Sequence, residues 1–338
     1  MKVKVRDSYF DVLKCIAIFM VIFWHVMSYR EGFNLVERPS YAANFIIAIN
    51  MPLFFIISGY FSQNLHRSLE FRKLGNRLLS YFCPFAFFSI AFSVIDSVVF
   101  GKYSWSAIPI WTVKKFLFSG WFFYALAGCD IITYFACKFG KTGVQKVVIA
   151  LLSFIACMVL NGRVWHVGSV VSMIPFYWFG LLLLPKILEY KKLFFAIGLM
   201  GGGVLAFVTF FNGNIGTNGL GFYWDRFDIF NPQLIKIFNM LARYFIGIIG
   251  SLFLFMAVRM VLNGLPLLSK VSMFGMETLG IYLVQDAVIH EVVNKFTNLD
   301  SNPAELFLAA LITLLVCYFL VKVLKLNSIM RRVVWRSA

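Results

Sequence analysis

Charge is what this sequence has least of. Only 14% of its 338 residues are Asp, Glu, Lys or Arg, where soluble domains carry about 25%. Acids are the scarcer sign, 15 against 31 bases, and there are four histidines. The six cysteines (Cys15, Cys83, Cys129, Cys137, Cys157 and Cys317) all fall in apolar stretches and form no metal-type pair. They read as small buried hydrophobes, and no metal site is expected. Internal repeats, low-complexity linkers and a soluble appendage are also missing, so residues 1–338 read as one integral membrane domain. So little polar surface excludes an ordinary soluble enzyme, a disordered chain and a disulfide-stapled secreted domain.

What fills the chain instead is apolar: 61% of residues are hydrophobic, forty of them Phe. A bilayer-crossing helix needs about 20 such residues. Ten stretches qualify: residues 9–28, 41–61, 78–100, 121–139, 147–161, 169–185, 193–211, 240–262, 273–290 and 305–326. The expected fold is therefore all-α and polytopic, with about ten transmembrane helices. Lys and Arg in the alternating loops divide 19 to 9. The richer side holds Lys2, Lys4 and Arg6, the run Arg67 to Arg77, and the C-terminal tail. Cytoplasmic loops carry the excess of positive charge, so both termini are expected in the cytoplasm. The basic balance thus reads as topology, and no nucleic-acid partner is expected. The first stretch holds Asp11 and Lys14 and lacks a small-residue cleavage site, so it reads as a span rather than a signal peptide. Gly101 to Ser119, with Pro109, reads as an interfacial or re-entrant segment. Asn212 to Gln233, with Trp224, Asp225, Arg226 and Asp228, reads as an ordered outer loop.

Ionisable groups inside spans are costly and point to function. The first span places Asp11, Lys14 and His25 within about 40° of one helical face. Asp11 and Lys14 are spaced to pair, and His25 lies about 16 Å further along the axis. An imidazole so placed can take a proton from a hydroxyl near neutral pH. In the second span Pro52 interrupts the backbone ladder, and Ser58-Gly59 permits close helix approach. The loop that follows carries Arg72, Lys73 and Arg77. These suit either anionic lipid headgroups or the phosphates of a cytoplasmic ligand. Glu277, Tyr282, Gln285 and Asp286 interrupt the ninth span. Asp96 and Asp130 read as structural acids, and His66 as a solvated loop residue.

The order of these pieces resembles the membrane-bound acyltransferase 3 family. The matching residues are Arg6, Asp11-Val12-Leu13-Lys14, Ala17 and His25; Met51-Pro52-Leu53-Phe54-Phe55-Ile56-Ile57-Ser58-Gly59-Tyr60; and Arg77-Leu78-Leu79. Further along come Trp121-Phe122 with Ala125-Leu126, Pro175-Phe176-Tyr177-Trp178-Phe179-Gly180, and Thr278-Leu279-Gly280-Ile281-Tyr282-Leu283. Within the family it looks most like the fucose 4-O-acetylase-like branch of sugar O-acetyltransferases. The resemblance implies an inner-membrane enzyme that moves an acyl group, usually acetyl, from cytoplasmic acyl-CoA to a carbohydrate hydroxyl. It holds no bound cofactor; acetyl-CoA is the donor substrate. The essential histidine falls on His25. Acyl-CoA binding falls on Arg72, Lys73 and Arg77, and the channel and acceptor site on Asp11, Lys14, Ser58, Tyr60, Trp121, Tyr282 and Gln285. Three positions depart from the family pattern. The first of its paired arginines is replaced by Leu74, a histidine after the Ile-Tyr-Leu motif is replaced by Gln285, and Lys14 stands where Arg is common. The alternative function is a polysaccharide exporter or carrier.

Overall fold

The computed structural model describes residues 8–30, 41–98, 101–161, 166–211, 215–216, 219–220, 232–296 and 302–333. Apart from one two-residue antiparallel ladder, Ile215–Gly216 with Gly219–Leu220, its regular structure is helical. An apolar stretch in lipid must satisfy its own backbone N–H and C=O groups, and the helix does so within one segment.

Each of the ten stretches named above falls on a helix. These are α1 (Ser8–Arg30), α2 (Tyr41–Phe61), α4 (Phe71–Val98), α6 (Trp121–Phe139), α7 (Gly143–Leu160), α8 and α9 (Val167–Trp178 and Leu184–Glu189), α10 (Lys191–Phe211), α11 (Pro232–Gly264), α12 and α13 (Ser272–Gly275 and Thr278–Phe296), and α14 (Pro303–Leu326). The shorter α3 (Gln63–Ser68), α5 (Ile108–Phe118) and α15 (Ser328–Val333) complete the set. Among the described residues, eight helices are long and apolar enough to cross a bilayer. A ninth is a broken pair, Pro266–Gly275 and Thr278–His290, bent by 69°. The expected outer loop around Trp224, Asp225, Arg226 and Asp228 lies outside the described residues, as does Arg6.

The chain divides into two compact units. The first comprises Met1–Tyr60 and Trp178–Phe319; the second comprises Phe61–Tyr177 and Leu320–Ala338. In the first unit, α1 packs against α11, α12 and α13, and α10 packs against α11. Leu13, Ile18, Ile22, Ile49, Leu53, Phe55 and Phe255 are fully buried there. Lipid is as apolar as these side chains, so close packing rather than escape from water holds the helices together. Glycines permit that packing where backbones meet. A Cβ on Gly201 would collide with the carbonyl oxygen of Ile249, joining α10 to α11. Gly180 makes the same kind of approach to the carbonyl oxygen of Ile56 in α2. Gly180 lies in a π-helical turn, Phe179–Leu183, between α8 and α9. The Met51–Tyr60 and Pro175–Gly180 motifs, remote in sequence, therefore meet backbone to backbone at Ile56 and Gly180.

In the second unit, α4 packs on α5 and α6, and α6 packs on α3 and α7. Leu65, Leu74 and Tyr134 form a buried apolar cluster, with Leu69 and Leu78 against it. The Tyr134 hydroxyl donates to the Leu69 carbonyl at 2.6 Å, which satisfies the frayed end of α3. Phe85 stacks on Phe116 and on Phe123, both at 5.1 Å between ring centres. The Gly101–Ser119 segment contains α5, whose 11 residues are too few to span. Asp96 anchors this segment through ion pairs to Lys102, at 2.9 Å, and to Lys115. Trp111 stacks on Tyr103 at 4.1 Å, and the Lys114 ammonium sits 4.5 Å from the Trp111 ring. At the start of α7, Thr142 and Gln145 form a reciprocal capping box. No residue of α7 is buried, and its Val144, Leu152 and Val159 are wide open, as befits a lipid-facing helix.

Candidate functional site

The residues expected to act chemically fall into both units, and each group is described by itself. In the first unit, α1 carries Asp11, Lys14 and His25. Asp11 is buried, and the Lys14 ammonium donates to its carboxylate at 3.1 Å. This is the spaced pair expected from the sequence. Its position along the axis is fixed by α12, because Gly275 lies directly against the Asp11 carbonyl oxygen. Two residues earlier, the Tyr9 hydroxyl donates to the Phe255 carbonyl at 2.6 Å. Phe10 stacks on Tyr60 of α2 at 4.6 Å. Tyr60 therefore belongs to the wall that locates the base of α1, while Ser58 beside it is half-buried.

His25 is half-buried near the far end of α1. Its electrostatic neighbour is Asp286 of α13. In the sequence Asp286 is one of several interruptions in the ninth span, and its spacing alone does not join it to the histidine. The signal was there: Tyr282 and Asp286 are four residues apart, so they share one face of a helix. The same carboxylate acts on Tyr282 and on Cys317 of α14. Asp286 keeps accessible surface although it lies in an apolar helix. Gln285 is fully buried, and its Oε1 has no hydrogen-bond partner among the described residues. His25, Tyr282 and Asp286 thus supply an imidazole, a phenol and a carboxylate in one neighbourhood of α1 and α13. Glu277 is buried at the break that precedes α13.

In the second unit the basic run does not act as a block. Arg72 is exposed, and Lys73 is exposed and paired with Glu70 at 2.7 Å. Arg77 is different. Its Nε–H donates to the Asp130 carboxylate at 2.8 Å and to the Tyr81 hydroxyl at 2.7 Å. Tyr81 in turn donates to the same Asp130 oxygen at 2.9 Å. The Tyr177 hydroxyl donates to the other Asp130 oxygen. Because that O–H is used on Asp130, the bond between Tyr177 and His66 Nε2, 2.9 Å long, must be donated by the histidine. His66 is therefore the Nε2–H tautomer, and its Nδ1 has no hydrogen-bond partner among the described residues. Asp130 is completely buried, and His66 is only 7% exposed. The expectation that His66 is a solvated loop residue is thus overturned. The turn of α3 folds it inward against Tyr177, which no local sequence pattern announces. Trp121 is half-buried at the first position of α6.

Leu74, where the family's first arginine would stand, is only 2% exposed and packs in the cluster of Leu65 and Tyr134. Restoring that arginine would bury a charge with no partner. Leu74→Arg is expected to destabilise the protein by roughly 3 kcal/mol or more. Arg72→Ala, on the exposed face, is expected to change stability by less than about 0.5 kcal/mol. Thermal unfolding of the two purified variants in detergent distinguishes these outcomes. A Leu74→Arg protein as stable as wild type would show that the cluster is not core.

The acyltransferase 3 family model, described as an acyltransferase domain, matches residues 7–322. The match runs through both units and all the residues described in this section. No curated protein and no solved structure matches the chain.

Proposed function

Because the chain belongs to the acyltransferase 3 family and is therefore a multi-pass membrane acyltransferase, we propose that it acetylates a hydroxyl of a cell-surface glycan or its precursor. The donor is cytoplasmic acetyl-CoA, and both termini lie in the cytoplasm of an inner-membrane protein. The observation that carries this reading is His25, a half-buried imidazole in the apolar outer half of α1 with the Asp286 carboxylate as its electrostatic neighbour.

Acyl transfer to a hydroxyl asks for a group that removes the hydroxyl proton as the oxygen attacks. His25 serves as that base. The acceptor oxygen bonds to the thioester carbonyl carbon, the carbon–sulfur bond breaks, and CoA leaves as a thiol after receiving the proton from the imidazole. The imidazolium formed in between is positive, and the Asp286 carboxylate stabilises it. Ser28, one turn beyond His25, and Cys317, beside Asp286, are both fully buried, so direct transfer to the acceptor is the simpler route. Lys14, Asp11, Ser58, Tyr60, Tyr282 and Gln285 serve the channel and acceptor in the first unit. On the donor side, guanidinium groups match phosphate oxygens through two-pronged hydrogen bonds. Arg72 and Arg77 take that role within the second unit, and the Lys73 ammonium adds a point charge beside them.

The test is chemical. Purified full-length protein in lipid nanodiscs is given acetyl-CoA carrying a labelled acetyl group, together with glycan extracted from cells that lack the gene. Mass spectrometry is expected to show the glycan gaining the mass of one acetyl group, with stoichiometric release of free CoA thiol. A chain that neither consumes acetyl-CoA nor modifies the glycan, while the glycan changes location in intact cells, would be an exporter instead.

A further inference from the structure

The Arg77 cluster is more elaborate than a phosphate clamp requires. A surface cation needs no support to attract an anion, yet Arg77 is held by a completely buried carboxylate, two tyrosines and, through Tyr177, a histidine. These groups come from α3, α4, α6 and α8. Asp130 also cancels the Arg77 charge. As a source of net positive field the pair is therefore weak, and what the cluster supplies is orientation. The bond from Arg77 Nε to Asp130, at 2.8 Å, fixes the guanidinium plane and so the direction of its two terminal amino groups. The Arg77 side chain keeps 21% of its surface, against none for Asp130, so of the two partners Arg77 is the one that retains access.

We propose that Asp130 is a positioning residue for the donor site: together with Tyr177 and Tyr81 it aims the Arg77 fork at a phosphate of acyl-CoA. This rests on the donor reading given above. The two ideas predict opposite signs for Asp130→Asn. If Arg77 worked by net charge, removing the Asp130 charge would tighten anion binding. If Arg77 works by held geometry, the loss of a charge-assisted hydrogen bond frees the side chain, and binding weakens by about tenfold or more.

The experiment is a double-mutant cycle read by equilibrium binding of CoA to the full-length protein. Nanodiscs of zwitterionic lipid keep anionic headgroups from competing. Asp130→Asn and Arg77→Ala are each expected to weaken CoA binding by about tenfold or more. The double variant is expected to be no weaker than Arg77→Ala alone, because Asp130 acts only through Arg77. Tyr177→Phe, a gentler change in the same network, is expected to weaken binding in the Arg77 background of wild type and to have no effect in Arg77→Ala. It serves if Asp130→Asn fails to fold. Tighter binding in Asp130→Asn, or an Asp130 effect that persists in Arg77→Ala, overturns the proposal while leaving CoA as the donor. Failure of the wild-type protein to bind CoA removes the donor reading and the proposal with it.

Discussion

His25→Ala is expected to lower acetyl transfer by about 10²–10⁴-fold, the usual contribution of a positioned acid–base group, at unchanged abundance in the membrane. The expectation follows from three features of α1 and its neighbours. The helix around His25 is apolar, with Val21, Ile22 and Val26 buried, so the imidazole is not part of a hydrated face. It is only half-buried, so a substrate hydroxyl has access. Its electrostatic neighbour is an acid on α13, which suits a group that becomes positive during turnover. Asp286→Asn, which keeps the shape and removes the charge, is expected to lower kcat and to leave the KM for acetyl-CoA unchanged. The measurement is initial rate against acetyl-CoA concentration in nanodiscs, with release of the CoA thiol as signal. Full activity in His25→Ala would exclude general-base catalysis by this residue.

The second large effect comes from a residue with no chemistry at all. Gly275→Ala is expected to disable the protein, because the new methyl group would occupy the space of the Asp11 carbonyl oxygen. The obstacle is backbone, and backbone inside a packed bundle cannot turn aside as a flexible side chain can. Overpacking of a well-packed site costs about 1–3 kcal/mol. Here the strain falls on the helix that carries His25, so activity is expected to fall further than stability. Gly180→Ala, against the Ile56 carbonyl, is expected to destabilise similarly. Gly143→Ala is the matched control: nothing lies near its missing Cβ. Thermal unfolding and acetyl transfer, measured on the three variants side by side, check the ordering. A Gly275→Ala protein with wild-type Tm and rate would show that α1 and α12 are not in backbone contact.

Much of the fold was legible because lipid imposes a one-dimensional rule. A run of apolar residues of bilayer length must become helical, and the ten runs did, although eight helices qualify as spans among the described residues and the ninth run is broken by a 69° bend. The pair Asp11 and Lys14 was legible for a similar reason, since three residues along a helix bring side chains together. The Arg77 cluster was not legible. Arg77 and Asp130 are 53 residues apart in the chain, and Tyr177 is 47 beyond Asp130. Their meeting is a product of helix packing, and no periodicity encodes it. The burial of Leu74 and His66 is hidden for the same reason. Each sits in a basic, loop-like stretch that composition marks as wet. The turn of α3 and the packing of α4 against α6 nevertheless bury both of them. Asp286 lay between these cases: its charge was conspicuous, but its partner on α1 was set by packing of α1 against α13.

The gap left by Gly275 also acts as a keyway. The Asp11 carbonyl seats in it, so α1 can neither slide nor turn without lifting out of the notch, and every side chain above inherits that index. One extra residue between Asp11 and His25 would raise the imidazole by about 1.5 Å and swing it by about 100°, away from Asp286. The same insertion before Ser8 would leave the index untouched. The spacing between notch and imidazole is therefore a dimension of the enzyme in the way that a bond length is, set by counting residues rather than by choosing them.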